Sequence, residues 1–517
     1  MSFSKVFSAQ TTLLKAGIIT IEVDLSKGLH SFTVVGLPDK AVEESRDRVS
    51  AAIKNSGFKS PKNKNQKVVI SLAPADLKKE GPIFDLAMAM GYLLASEDIK
   101  FDPKQVIFFG ELSLDGKIRP ISGILPLVEE AKKSGFSKIF LPKENAREAA
   151  LIDNIDIYGA DTLLEVVTHL NDRVDTEAEQ EPTKKIPLQE KTKIKYADEN
   201  IDVDFADIKG QEAAKRGLEI AAAGGHNVVM YGPPGTGKTM LAKAFTHLLP
   251  RLSFDEILET TSIHSVAGTL KDDLITKTPF RAPHHSASYV SLVGGGAIPK
   301  PGEITLAHRG VLFLDEFPEF ERRVIDSLRQ PLEDRKITVS RARGSASFPA
   351  NFILIAAMNP CPCGNYGIKN KDCVCSATNL ARYQRKISGP IVDRVDLWLE
   401  VSNVDHSRLM EKRGNEETTA TIQKRVLAAR KVQSERFKSA KNIKTNSDMG
   451  AKDITKYVNL DAEAKKILDQ SAARLGLSGR AYHKIVKLAQ TIADLEKSPV
   501  VLSKHILEAI QYRPKKQ

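Results

Sequence analysis

Short apolar runs alternate with helix-like stretches along the first third of the chain. GIITIEVDLS, FTVVGLP, KVVISLAP, VIFFGELSLDG and KIFLP have the length and apolar content of strands. KAVEESRDRVSAAIKNSG places Val42, Val49 and Ile53 on one helical face, and DLAMAMGYLLAS and ILPLVEEAKKSG continue the alternation. The pattern predicts an α/β or α+β domain over residues 1–172. Residues 173–200, RVDTEAEQEPTKKIPLQEKTKIKYADEN, nearly lack large apolar side chains and predict an exposed linker. From 201 to 402, NVVMYG, GVLFLDEF and NFILIAAMN read as buried parallel strands of a second α/β domain. From 403 to 517 helical spacing dominates. TTATIQKRVLAARKVQSERF carries Ile422, Val426, Ala429 and Val432 at that spacing, and AEAKKILDQSAARLG and RAYHKIVKLAQTIADLE follow. The fold class is a multidomain α/β protein with a helical C-terminal part.

Composition changes this picture little. The chain has 517 residues, 41% hydrophobic and 27% charged, ordinary values for globular protein. No run approaches the roughly 18 apolar residues of a membrane helix. MSFSKVFSAQTTLL lacks the basic start and long apolar core of a signal peptide, so the expected location is cytoplasmic, with no membrane partner. Charge adds more. The net charge is +11 and the pI about 9.2, which favours nucleic acid or another polyanion as partner.

The sharpest signal is YGPPGTGKT, between an apolar run and the helix-like MLAKAFTHLL. It fits G-x-x-x-x-G-K-[ST] at Gly232, Gly237, Lys238 and Thr239, with Pro233, Pro234, Gly235 and Thr236 between. Glycines let successive backbone N–H groups turn toward phosphate, and the following helix adds its positive N-terminal end. Lys238 is expected to reach the β- and γ-phosphates of ATP, and Thr239 to hold Mg²⁺. GVLFLDEF ends in Asp315 and Glu316. Asp315 is expected near Mg²⁺, and Glu316 to take a proton from attacking water. NFILIAAMN ends in Asn359, a neutral group able to orient that water.

All four cysteines fall in CPCGNYGIKNKDCVC, at Cys361, Cys363, Cys373 and Cys375. The C-x-C…C-x-C spacing admits structural Zn²⁺ or free, redox-active thiols. No histidine lies close enough in sequence to suggest a catalytic metal site.

GHNVVMYGPPGTGKT, TPFRAPHHSAS, PGEITLAHRGVLFLDEF, AAMNPCPCG, SGPIVDRVDL and LSGRAYHKI, in that order, resemble the AAA+ ATPases of the magnesium-chelatase-like group, in particular the YifB/ComM type. The resemblance covers essentially the whole chain. It implies that Asn359 is sensor 1, that Arg394 is an arginine finger reaching a neighbouring subunit's nucleotide, and that Arg480 is sensor 2 on a helical lid. It also implies a homo-hexameric ring. In this group an insert between the lysine loop and the acidic strand projects toward the ring pore. Here that stretch contains FRAPHHSASYVSLVGGG, whose Gly294, Gly295 and Gly296 suit a mobile loop. RKITVSRARGSASF reads as a hairpin turning around Gly344. Its Arg341 and Arg343 resemble hairpin residues that touch DNA phosphates, and an exposed basic turn is the plainer reading. His284 and His285 are candidate zinc ligands or a polar loop pair.

Residues 1–172 are similar to the proteolytic domain of Lon, through GELSLDGKIRPISGILPLVEEAKKSGFSKIFLPKEN. Lon-type proteases place a nucleophilic serine after D-G-P and a lysine in G-G-L-K. Here Ile83 and Leu125 occupy those positions. A serine needs an adjacent base to attack an amide, so the resemblance implies a domain without peptidase chemistry. Its tract KNSGFKSPKNKNQK, with Lys54, Lys59, Lys62, Lys64 and Lys67, is a candidate DNA-facing surface or a solvated loop.

Three functions remain open on the sequence. The first is a ring-shaped DNA motor, because the YifB/ComM resemblance implies branch migration in recombination of incoming DNA, with recombination proteins as further partners. Its DNA contacts would be sequence-independent and salt-sensitive, on single-stranded or branched DNA. The second is a chelatase-like motor or one that remodels a protein partner. The third is a protease or protease regulator, with Ile83 and Leu125 arguing against direct proteolysis; a non-enzymatic scaffold is the plain alternative and predicts a broken nucleotide site.

Overall fold

The computed structural model describes residues 2–12, 15–63, 65–171, 185–194, 196, 201–270, 274–296, 300–341, 344–367, 372–404, 416–440 and 443–514. Most of the expected linker, with Lys64 and Arg343, lies outside them. The chain forms two compact units, one of residues 1–195 with 257–275, the other of residues 196–256 with 276–517.

The first unit is built on strands β1 (Ser2–Thr12), β2 (Lys15–Lys27), β3 (Ser31–Val35) and β4 (Gln66–Ala73), in the order β1-β2-β4-β3. Val6, Ile21 and Leu72 lie in register across the antiparallel ladders and are buried. Helices α1 (Lys40–Asn55) and α2 (Asp85–Ala95) pack here. Val42, Val49 and Ile53 are buried as their spacing requires. β1 does not show clear apolar alternation, because Ser4, Ser8 and Gln10 fill inward positions. Their side chains donate to the carbonyls of Gly91, Phe108 and Lys78 instead. A smaller parallel sheet orders β5 (Val106–Phe108), β6 (Lys138–Pro142) and β7 (Asp156–Ala160) as β5-β6-β7, beside α3 (Ile124–Lys133).

Residues 257–275 join this unit although they interrupt the second α/β sequence. Leu258 and Leu274 pack on an apolar cluster that contains Leu125 and against which Ile83 also packs. Ser265 Oγ accepts from the Gly123 N–H at 2.9 Å, just ahead of α3. The positions of a Lon-type serine and lysine are therefore part of one apolar patch.

The second unit centres on a five-stranded parallel sheet. Its strands are β8 (Val228–Tyr231), β9 (Phe280–Arg281), β10 (Val311–Leu314), β13 (Ile353–Met358) and β14 (Leu397–Glu400), ordered β9-β10-β13-β8-β14. Between β10 and β13 lies an antiparallel hairpin of β11 (Lys336–Arg341) and β12 (Gly344–Pro349). Gly344 pairs with Arg341 within the ladder, as part of β12. Around the sheet stand α4 (Glu212–Gly224), α5 (Lys238–Thr246), α6 (Thr419–Arg436), α7 (Ala462–Leu475), α8 (Gly479–Leu495) and α9 (Ser503–Gln511), which share one apolar core with it.

On α6, Ile422, Val426 and Ala429 are buried as expected, but Val432 is exposed and Gln433 is buried. Ile422, Val426, Ala429 and Gln433 follow the helical repeat, and Val432 falls about 100° away from that face. Gln433 is tolerated because its amide donates to Ala223 O and accepts from Asn446 N–H.

At the entrance to β8, His226 is wholly buried. Burial pushes its imidazole down from 6.5 to about 4, against the opposing pull of Asp396. Asp396 faces it at 3.8 Å and is held low, at about 2, chiefly by Lys484 working against its own burial. Below pH 6.5 the unfolded chain takes up a proton at this histidine that the folded chain declines until about pH 4. Stability is therefore lost as pH falls through that window, by about 2 kcal/mol at pH 5. Melting curves from pH 7.5 to 5 should show this loss, and His226→Gln should flatten it. Equal slopes for the two proteins would contradict the assignment.

Candidate active site

Three strands of the parallel sheet end at one place. β8 runs into the loop 231–239 and then α5, β10 ends at Asp315 and Glu316, and β13 ends at Asn359. Ligand sites of open parallel sheets form at these carboxyl ends. Gly235 and Gly237 have φ of 78° and 88°, with open space where a side chain would begin, so the loop turns its backbone outward freely. Gly232 answers a different need. A Cβ there would lie 2.0 Å from Val401 O.

Lys238 is buried, and its ammonium donates to Gly232 O and Pro233 O, both at 2.7 Å, and to Asn359 Oδ1 at 3.2 Å. Burial lowers its pKa, while Asp315 opposes the shift. Thr239 Oγ1 donates to Asp315 Oδ2 at 3.0 Å. That hydroxyl and carboxylate are hard oxygen donors of the kind Mg²⁺ takes, so the residues present fit the ion. Thr236 Oγ1 closes the loop on Pro233 O at 3.0 Å.

Glu316 sits at φ 50°, outside the usual range for a non-glycine residue. Its carboxylate lies 3.1 Å from His285 Nδ1, and the His284 and His285 rings lie 4.1 Å apart, tilted by 34°. Among the described residues these histidines join no metal cluster. The pairing of His285 with Glu316 was not legible in the sequence, since it joins residues whose proximity only the sheet creates.

Arg394 and Arg480 meet at a residue that sequence reading also missed. Glu333, on the short helix Arg329–Asp334, accepts from Arg480 Nη2 at 2.7 Å through one oxygen and from Arg394 through the other. Arg394 also donates to Pro390 O at 2.9 Å, and its buried Nε has no partner.

The four cysteine sulfurs lie within 4.8 Å of one another. Cys361, Cys363 and Cys373 are 3.3, 3.8 and 3.6 Å apart in their three pairs, far beyond a disulfide bond. The arrangement is compatible with zinc. Gly294 and Gly295 form a short antiparallel pair with Lys300 and Pro301. Of the basic tract, Lys54, Lys59, Lys62 and Lys67 are exposed, and Lys62 pairs with Asp47 at 2.9 Å.

A glycine loop between strand and helix, with a lysine, a Thr–Asp pair and a polar strand end around it, has the form of a P-loop, and the parallel sheet is consistent with the magnesium-chelatase-like AAA+ class. Comparison with known proteins agrees. Residues 204–409 match the family described as "Magnesium chelatase, subunit ChlI", residues 21–145 "Subunit ChlI of Mg-chelatase", and residues 416–513 "Magnesium chelatase, subunit ChlI C-terminal". The chain is 44% identical to competence protein ComM of Haemophilus influenzae, over 99% of this chain and 98% of the relative. It is 43% identical to YifB of Escherichia coli, over 99% and 97%. Over 111 residues, 21% of this chain and 19% of the relative, it is 37% identical to Lon protease 2 of Bacillus subtilis. The chain belongs to the YifB/ComM family of magnesium-chelatase-like proteins. Membership in this class implies the use of ATP and Mg²⁺ and ATPase activity. Among the described residues no helix is long and apolar enough to cross a membrane.

Proposed function

We propose that this protein is an ATP-hydrolysing ring motor that acts on DNA, in branch migration during recombination of incoming DNA. The observation that carries the ATPase part is the convergence of Lys238, the Thr239–Asp315 pair and Asn359 at adjacent strand ends. The DNA part rests on the likeness to a competence protein and on the net charge of +11.

In this reading Lys238 leaves the loop carbonyls for the β- and γ-phosphates, and the loop amides cradle them. Thr239 and Asp315 would hold Mg²⁺, which neutralises charge on the phosphate oxygens when bound. Glu316 takes the proton of the attacking water and Asn359 orients that water. Arg394 serves a neighbouring subunit's phosphates in a homo-hexamer, Arg480 serves as sensor 2 on the lid, and the hairpin of β11 and β12 and the stretch around Gly294 face the DNA. Residues 1–172 serve binding or assembly, as a Lon-like domain whose Ile83 and Leu125 offer neither nucleophile nor base. The residues from 403 onward act as the lid, and the protein works in the cytoplasm.

The test is ATP turnover by the purified protein alone, with single-stranded DNA and with branched DNA. Strong stimulation by DNA is expected, weakening as salt rises. Turnover indifferent to every DNA would overturn the reading and favour remodelling of a protein partner.

A further inference from the structure

The four-cysteine cluster touches both halves of the nucleotide site. Cys361 follows Asn359 by two residues at the end of β13, and Asn359 Oδ1 accepts from Lys238. The turn after Cys361 closes through Gly364 N–H donating to Cys361 O at 3.0 Å. Gly364 has φ 79°, and a Cβ there would lie 2.7 Å from Pro234 Cδ, so the turn rests directly on the phosphate loop. Tyr383 clamps the same strand end, its hydroxyl donating to Asn359 O at 3.2 Å.

The cluster itself is organised as a ligand set. Four thiolates each about 2.3 Å from one tetrahedral ion stand about 3.8 Å apart, close to the spacings among Cys361, Cys363 and Cys373. Backbone N–H groups point at the sulfurs. Tyr366 donates to Cys361 at 3.3 Å, and Asn365 and Val374 donate to Cys363. Four sulfurs brought this close together are the donor set that a tetrahedral soft cation takes. Cys361 is buried and the other three are half-buried, so apolar packing alone does not explain their convergence.

We propose that Cys361, Cys363, Cys373 and Cys375 take one Zn²⁺ ion, and that its tetrahedral closure fixes Asn359 and Pro234, so that zinc occupancy sets the affinity of the nucleotide site. The coupling half rests on the nucleotide reading above, and the metal half does not. Zinc draws the two C-x-C arms together. One arm carries the turn that braces Pro234, and its root carries the amide that Lys238 donates to. Without the ion the arms separate, Gly364 leaves the loop, and the acceptor for Lys238 is no longer positioned. Losing one positioned bond to a charged group amounts to about tenfold in affinity.

The experiment has two arms on the full chain. First, metal content is measured on the purified protein, and Co²⁺ is exchanged in to read the thiolate charge-transfer bands. One equivalent of zinc and tetrathiolate bands are expected. A metal-free protein that binds no Co²⁺, or a Cys361–Cys363 disulfide, overturns the site. Second, binding of a fluorescent ATP analogue is titrated at fixed Mg²⁺ on zinc-loaded, zinc-stripped and reloaded protein. A Kd raised about tenfold by stripping and restored by reloading is expected. Gly364→Ala separates metal from coupling, and should keep its zinc while losing about tenfold in nucleotide affinity. Unchanged affinity in both stripped protein and Gly364→Ala overturns the coupling. Zinc-loaded protein that binds no nucleotide at all overturns the nucleotide reading, with the metal site left standing.

Discussion

Glu316→Gln should bind ATP about as tightly as the native protein and hydrolyse it at least a hundredfold more slowly. The loop amides, Lys238 and the Thr239–Asp315 pair are untouched by the change, so the groups that meet the phosphates remain. An amide in place of the carboxylate keeps the volume and one acceptor oxygen but cannot take a proton from water. General-base contributions run at about 10²–10⁴ in rate. The variant also replaces the carboxylate that lies 3.1 Å from His285 Nδ1 by an amide. Single-turnover hydrolysis and a binding titration with fluorescent nucleotide, run on the same preparation, separate the two quantities. A rate within tenfold of native would remove Glu316 from the role of base. A rate loss matched by an equal loss of affinity would mean that it holds the nucleotide rather than the water.

Arg394→Ala should be comparably severe, and its failure should be repairable by a second chain. Arginines that reach a transferring phosphoryl group across an interface contribute about 10³–10⁵ in rate. Lys238→Ala should also be inactive, because it lacks the group that meets the phosphates in its own loop. An Arg394→Ala chain still owns an intact loop, and a Lys238→Ala chain still owns an intact arginine. Mixing the two inactive proteins should restore part of the hydrolysis, measured against total chain concentration. No recovery at any ratio, with both variants folded by thermal melting, would place Arg394 in service of its own chain.

The parts of this molecule that could be read in advance are those where local chemistry and local geometry agree. The loop 231–239 needs glycines at fixed steps, and the strands beside it are apolar on both faces, so the patterns of β8, β10 and β13 stand out. β1 was harder, since Ser4 and Ser8 take inward positions and satisfy themselves on carbonyls far along the chain. Val432 looked like core because it is apolar, and the repeat of α6 instead selects Gln433. The membership of residues 257–275 in the first unit is not a property of their own pattern. An apolar segment states that it will be buried, and does not state by which core. The same holds for His285 and Glu333, which have no evident role until tertiary structure supplies Glu316, Arg394 and Arg480.

Glu333 has two carboxylate oxygens, and each is occupied by one of those arginines. A chain by itself thus has an internal substitute for the phosphate that Arg394 is read as seeking next door. Every contact across an interface must first displace that substitute, so mass action sets a threshold. Diluted protein should idle with its guanidinium groups satisfied at home, and specific activity should climb steeply with concentration.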